Sequence, residues 1–107
     1  MEKIIVYKPE FENQIQMIVD ILFEKEYFGF LESAMDYGEK IYDFIFENID
    51  LPISRITPIS HQKFGKYYLK YKVNHHTTWY IFFDKKDEKY LVNHILNNHS
   101  KDFPELL

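Results

Sequence analysis

The feature of this sequence that most constrains its fold is a single change of hydrophobic period between residues 50 and 65. Before the change, apolar side chains recur every three or four residues, as on one face of a helix. After it, apolar and polar side chains alternate, as on a half-buried strand. Helices followed by a run of strands are typical of the α+β class, so we expect an α+β domain.

The first half of the chain predicts a short strand and a helical hairpin. A β-branched run favours a strand over residues 3–7. The stretch 9–29 begins with a proline, which suits the first position of a helix, and its apolar stripe predicts a helix that ends near residues 27–29. A second stripe over residues 30–48 contains Ala34 and Gly38, whose small size lets one helix approach another. Two such helices with a short link form a hairpin.

The second half predicts three antiparallel strands. Prolines break any helix in residues 50–62, which we interpret as a long connecting loop. Strands are expected over residues 66–73, 77–83 and 88–96, with a polar turn at residues 84–87. The prediction is therefore an N-terminal strand, a two-helix hairpin and a three-stranded antiparallel meander, with the helices packed on one face of the sheet.

The register of the last strand stays open at this level. Leu91 and Ile95 compete with Val92 and Leu96 for the core side of the strand. The role of His94 depends on which pair wins, because neighbouring side chains point to opposite faces.

The length favours one domain, residues 1–107. The absence of cysteine fits a reducing compartment. The chain has no cysteine, which excludes a disulfide framework and a thiolate zinc site. The sequence starts with charged residues and contains no apolar run approaching 18 residues, so we expect neither a signal peptide nor a membrane span. The expected location is the cytoplasm. The adjacent His75 and His76 would point opposite ways on a strand, so no metal site or cofactor is expected.

Charge is divided unevenly along the chain. Residues 1–50 carry four Lys and twelve Asp or Glu, whereas residues 51–107 carry eight Lys, one Arg and five acids. The overall charge of −4 argues against indiscriminate binding of nucleic acid. The excess of cations in the second half allows a local basic face, although solvated strand faces would produce the same pattern.

Three pieces of sequence, together with the element order, suggest a family. The second helix carries Ala34, Tyr37, Ile41 and Ile45 at helical spacing. A glycine precedes a strand of alternating basic and aromatic residues at 65–71, and the segment 91–102 ends in His99-Ser100-Lys101-Asp102. These features resemble the RelE/ParE toxin superfamily, in which a last strand leads into a His-basic-basic-Asp pattern.

The resemblance implies that the chain is the toxin of a bacterial type II toxin–antitoxin pair, with a cognate antitoxin as its partner. The RelE branch cleaves messenger RNA on the ribosome, whereas the ParE branch blocks DNA gyrase without nuclease chemistry. Neither branch needs a metal. RelE-like sites are usually rich in arginine, and this chain has only Arg55. The ParE-like function and an inactive interaction domain therefore stay open as alternatives, and no oligomeric state is predicted.

A metal-free ribonuclease needs a general base, cations that stabilise charge on the phosphate, and a general acid. His99 matches the histidine of the terminal pattern, and a histidine there can exchange a proton near neutral pH. Tyr90 and His94 are four residues apart and are expected on one strand side, where Tyr90 would either stack a base or fill the core. The candidate catalytic residues are His99, Lys70, Lys72 and His94. The candidate substrate-binding residues are Tyr68, Tyr90, Lys66, Lys101 and Arg55.

Overall fold

The protein is described from a computed structural model that covers residues 3–24, 31–73 and 75–98. The predicted end of the first helix, Asn74 between the predicted strands 66–73 and 77–83, and the segment from His99 onward lie outside the described residues. In chain order the elements are β1 (Ile4–Tyr7), α1 (Pro9–Glu24), α2 (Leu31–Asn48), β2 (Arg55–Ile56), a 3₁₀ helix (Ile59–Phe64), β3 (Tyr67–Lys72), β4 (Thr78–Lys86) and β5 (Lys89–Asn97).

The five strands form one mixed sheet in the order β1-β5-β4-β3-β2. The strand β1 runs parallel to β5, and every other neighbouring pair is antiparallel. The α+β class is confirmed, but the predicted set of one N-terminal strand and a three-stranded meander is not matched, because β2 adds a fifth strand. This strand lies in the segment predicted as a loop. Its two residues are too few to show an alternating pattern in the sequence.

Both helices pack on one face of the sheet, which we call the helix-side face. Its core contains Phe11 and Ile15 of α1, Ile41 of α2, and Leu69 and Ile81 of the sheet, all buried. At Gly38, an added Cβ would stand 3.0 Å from Cγ2 of Val19. The predicted close approach of the two helices at Gly38 is therefore confirmed. Within the described residues, no helix is long and apolar enough to cross a membrane.

An irregular residue in β5 decides which side chains face the core. Phe82 pairs with His94 and the next residue, Phe83, pairs with Val92, so Asn93 is an extra residue in β5. Val92 and Ile95 both lie in the helix-side core, three residues apart. Neither pair predicted from the sequence is correct, because a bulge shifts the alternation by one residue.

The bulge also corrects the expectation that Tyr90 and His94 share a strand side. Tyr90 precedes Asn93 and belongs to the helix-side core, where it is 8% exposed. His94 follows Asn93 and pairs with Phe82, whose side chain belongs to the cluster on the opposite face.

Asp84 holds the bulge in place from the neighbouring strand. One carboxylate oxygen accepts a hydrogen bond from the Lys66 backbone N–H at 2.9 Å, and the other accepts from Nδ2 of Asn93 at 2.9 Å. The sequence placed Asp84 in a turn, but β4 continues to Lys86 and the turn lies at residues 87–88. Asp84 of β4 thus connects Asn93 of β5 with the residue that directly precedes β3.

Replacing Asp84 with alanine is expected to lower the free energy of unfolding by about 1–3 kcal/mol, because the buried amide of Asn93 would lose its acceptor. Urea unfolding measures the change. Asp43→Ala, which removes an exposed carboxylate from α2, is the control and should shift stability by less than about 0.5 kcal/mol. Equal unfolding midpoints for the two variants would contradict the bracing role of Asp84.

Candidate functional site

The face of the sheet opposite the helices, which we call the open face, has the 3₁₀ helix packed against part of it. The Phe64 ring stacks on the His94 ring with centroids 4.0 Å apart, and the His61 ring lies parallel to Phe82 at 6.3 Å. This aromatic and imidazole layer closes the part of the open face that is nearest to α1.

The same face carries three exposed cations on β2 and β3. Residues paired across neighbouring strands share a face, and Arg55 pairs with Tyr68, Lys70 with Tyr80, and Lys72 with Thr78. Lys70 and Lys72 are two residues apart on β3, about 7 Å along the strand. Arg55 lies diagonally across from Lys70, at about 7–8 Å between Cα atoms. We call Arg55, Lys70 and Lys72 the basic patch.

Two tyrosines form the floor beneath the basic patch. Tyr68 and Tyr80 are buried, with ring centroids 6.0 Å apart, and Tyr80 is only 1% exposed. Burial raises the pKa of Tyr80, the neighbouring Tyr68 raises it further, and the positive charge of Arg55 opposes the shift. The phenol therefore stays neutral at physiological pH and adds no negative charge below the three cations.

The basic patch lies in a long stretch of sequence without acidic residues. From residue 51 to residue 83 the chain contains no Asp or Glu, whereas it contains Arg55 and four lysines: Lys63, Lys66, Lys70 and Lys72. These cations are therefore not neutralised by carboxylates of their own segment. Such a surface attracts anions, and the attraction weakens as salt is added.

The structure brings together four of the residues predicted from the sequence, namely Arg55, Tyr68, Lys70 and Lys72. Lys66 directly precedes β3 at the end opposite Lys72, where its backbone binds Asp84. Tyr90 lies in the helix-side core and is not brought together with the basic patch. His99 and Lys101 lie outside the described residues.

His94 is placed apart from the lysines. Its side chain is 14% exposed, lies against Phe64, and has Nδ1 3.5 Å from a carboxylate oxygen of Glu10. Its Nε2 is 3.5 Å from Nε2 of Gln14. The Gln14 side chain also donates a hydrogen bond to the Ile95 carbonyl and accepts one from the Ile95 N–H. His94 thus joins α1 to the end of β5, and its ring lies against the 3₁₀ helix at Phe64.

Sequence reasoning missed Tyr80 and His61. Tyr80 lies in an apolar run that has no alternation of its own, and only the pairing of β4 with β3 shows that it underlies Lys70. His61 lies in the segment that was predicted as a loop, yet it is buried against Phe82. The proline before the 3₁₀ helix was a signal for a new local structure, but it does not reveal which face that structure covers.

Within residues 3–24, 31–73 and 75–98, no three His, Asp or Glu side chains are placed together as metal ligands. Compared with known proteins, the chain matches no family model, no curated protein and no solved structure. Its function must therefore be argued from the basic patch itself.

Proposed function

We propose that this protein is a RelE-like toxin that inhibits translation by metal-independent cleavage of messenger RNA on the ribosome. The observation that carries the proposal is the basic patch, in which Arg55, Lys70 and Lys72 are exposed together on an open sheet face. An RNA backbone is a row of singly charged phosphates, and side chains on an open sheet can contact several of them at once.

The proposed reaction needs a general base, a general acid and cations beside the phosphate. The ribose 2′-oxygen attacks the adjacent phosphorus, the bond from phosphorus to the 5′-oxygen breaks, and the products are a 2′,3′-cyclic phosphate and a 5′-hydroxyl. A base accepts the 2′-hydroxyl proton and an acid donates a proton to the leaving 5′-oxygen. In this proposal Lys70 and Lys72 stabilise the extra charge on the phosphate, and His99 is the candidate for proton transfer.

Arg55 adds what the lysines lack. Its planar guanidinium can donate two parallel hydrogen bonds to one phosphate, whereas a lysine ammonium acts as a point charge. The sequence placed this arginine in a loop, away from the strand lysines. Because Arg55 lies on β2 diagonally across from Lys70, both side chains can contact the same phosphate group.

The proposed partners follow from the same charges. Messenger RNA on the ribosome is the substrate, and a cognate antitoxin supplies the negative charge that neutralises the basic patch when the toxin is inactive. Disordered acidic segments that fold on binding are well suited to this role.

The test is to induce the chain alone in a bacterial host and to follow protein synthesis by incorporation of labelled amino acids. Synthesis should fall within minutes, and transcripts should acquire new 5′-hydroxyl ends. A variant with Arg55, Lys70 and Lys72 all changed to alanine should leave synthesis unchanged. Unchanged synthesis with stalled growth would refute messenger cleavage and favour a ParE-like action on DNA gyrase. Normal growth would indicate an inactive interaction domain.

A further inference from the structure

The segment that contains β2 carries four exposed aliphatic side chains within nine described residues. Ile56 is 73% exposed and Ile59 is 88% exposed, and Leu51 and Ile53 are exposed as well. A folded monomer exposes single apolar residues routinely, whereas four within nine residues around an edge strand make this segment a candidate for an interaction surface.

The backbone at this edge is ready to accept another strand. Within the described sheet, β2 pairs only with β3. Arg55 pairs with Tyr68, and the Thr57 N–H donates to the Lys66 carbonyl at 2.9 Å. In an antiparallel ladder the residue between two such positions turns its N–H and C=O the other way. The N–H and C=O of Ile56 therefore point outward from the sheet edge.

The side chains of β2 define what an added strand must carry. Arg55 shares the open face with Tyr68, whereas Ile56 pairs with Tyr67 and so shares the helix-side face. A strand added beside β2 would place alternate side chains on these two faces. Those on the Arg55 side meet the basic patch and should be acidic, and those on the Ile56 side meet the exposed side chain of Ile56 and should be apolar.

Charge also decides between a foreign segment and a second copy of this chain. Symmetric pairing of two β2 edges would bring together two segments, residues 51–83, that have five cations and no acid each. Like charges placed directly opposite each other destabilise strand pairing. The same positive charges attract a foreign acidic segment and repel a second copy of this chain.

We propose that the β2 edge binds an extended segment of another polypeptide, in which acidic and apolar residues alternate, as an added strand of the sheet. Main-chain hydrogen bonds to Ile56 would supply affinity, and the alternation would supply specificity. Such a strand lies beside Arg55 and shields it from RNA, and this consequence alone rests on the proposed function. The binding itself does not depend on it.

The test uses the full chain and a short fluorescein-labelled peptide in which glutamate alternates with valine, with binding followed by fluorescence anisotropy. One control peptide carries lysine in place of glutamate, and a second has the same composition with the acidic and apolar residues in separate blocks. The alternating acidic peptide should bind at least about tenfold more tightly than either control. It should also slow hydrogen exchange at the Ile56 amide.

Two variants test the mode of binding. Ile56→Pro removes the outward N–H, and an edge strand tolerates proline where that N–H faces solvent. It should weaken binding about tenfold or more, whereas Ile56→Val should bind as the wild type does. Ile59→Glu changes a side chain that is 88% exposed, so the fold is not at risk, and it should also weaken binding of the acidic peptide.

Equal binding of all three peptides would overturn the proposal, as would Ile56→Pro and Ile59→Glu variants that bind the acidic peptide as tightly as the wild type. Self-association that Ile56→Pro abolishes would show that a second copy occupies the edge instead. RNA cleavage is measured on the same samples. Peptide binding without RNA cleavage would refute the proposed function alone, and RNA cleavage without peptide binding would refute this inference alone.

Discussion

On the proposed function, replacing Lys70 with alanine is expected to lower the rate of messenger cleavage by about 100- to 1,000-fold, the usual cost of removing one preorganised group that stabilises transition-state charge. Lys70 lies between Arg55 and Lys72 on the open face, so it is the central cation of the basic patch. Its side chain is exposed, and its loss should leave the free energy of unfolding nearly unchanged.

The measurement uses purified ribosomes carrying a defined messenger, with cleaved ends quantified over time by primer extension. Lys86→Ala is the matched control, because it removes the same charge from an exposed position at the far end of β4. The control should retain nearly full activity. Similar rates for the two variants would show that the position of Lys70 is irrelevant, and the basic patch would lose its assigned role.

Gly65→Ala is expected to lower the free energy of unfolding by about 2–4 kcal/mol, from backbone strain and overpacking together. Gly65 has φ 150° and ψ 157°, a region that is essentially restricted to glycine. An added Cβ would stand 2.8 Å from the backbone N of Phe83 and 3.0 Å from its O. Backbone atoms inside a sheet cannot move aside as a flexible side chain can.

Chemical denaturation measures this loss, and Gly38→Ala provides the control. The Cβ added at Gly38 would meet methyl groups of Val19 and Ile15 at 3.0 and 3.3 Å rather than backbone. Alanine also favours the helical conformation there by about 1 kcal/mol, which offsets part of the contact. Gly38→Ala should therefore cost much less than Gly65→Ala, and the reverse order would contradict the account of the Gly65 contact.

Features that depend on a pattern of many residues could be predicted from the sequence, whereas a feature that depends on a single residue could not. The second helix was expected over residues 30–48 and spans Leu31–Asn48, because its apolar stripe extends over many turns. In the sheet, β4 lies between β3 and β5, as expected for the predicted meander. The core side of β5 could not be predicted, since one extra residue, Asn93, reverses the alternation without leaving a signature in the sequence.

The candidate site shows the same division. The alternation in β3 placed Lys70 and Lys72 on one side correctly, because that periodicity is local. The addition of Arg55 and Tyr80 to the same site depends on which strands are neighbours. That information lies in tertiary contacts, and no spacing along the chain contains it.

The parallel pairing of β1 with β5 sets the order in which the protein can be completed during synthesis. Residues 4–7 leave the ribosome long before residues 89–92, which form their only neighbouring strand among the described residues. Such distant contacts form slowly, because a long loop must close before they contribute stability. The helical hairpin and the hairpin of β3 and β4 can form while the chain is still growing. β1 can pair only when β5 is available, so the sheet stays incomplete until residues 89–97 have left the ribosome.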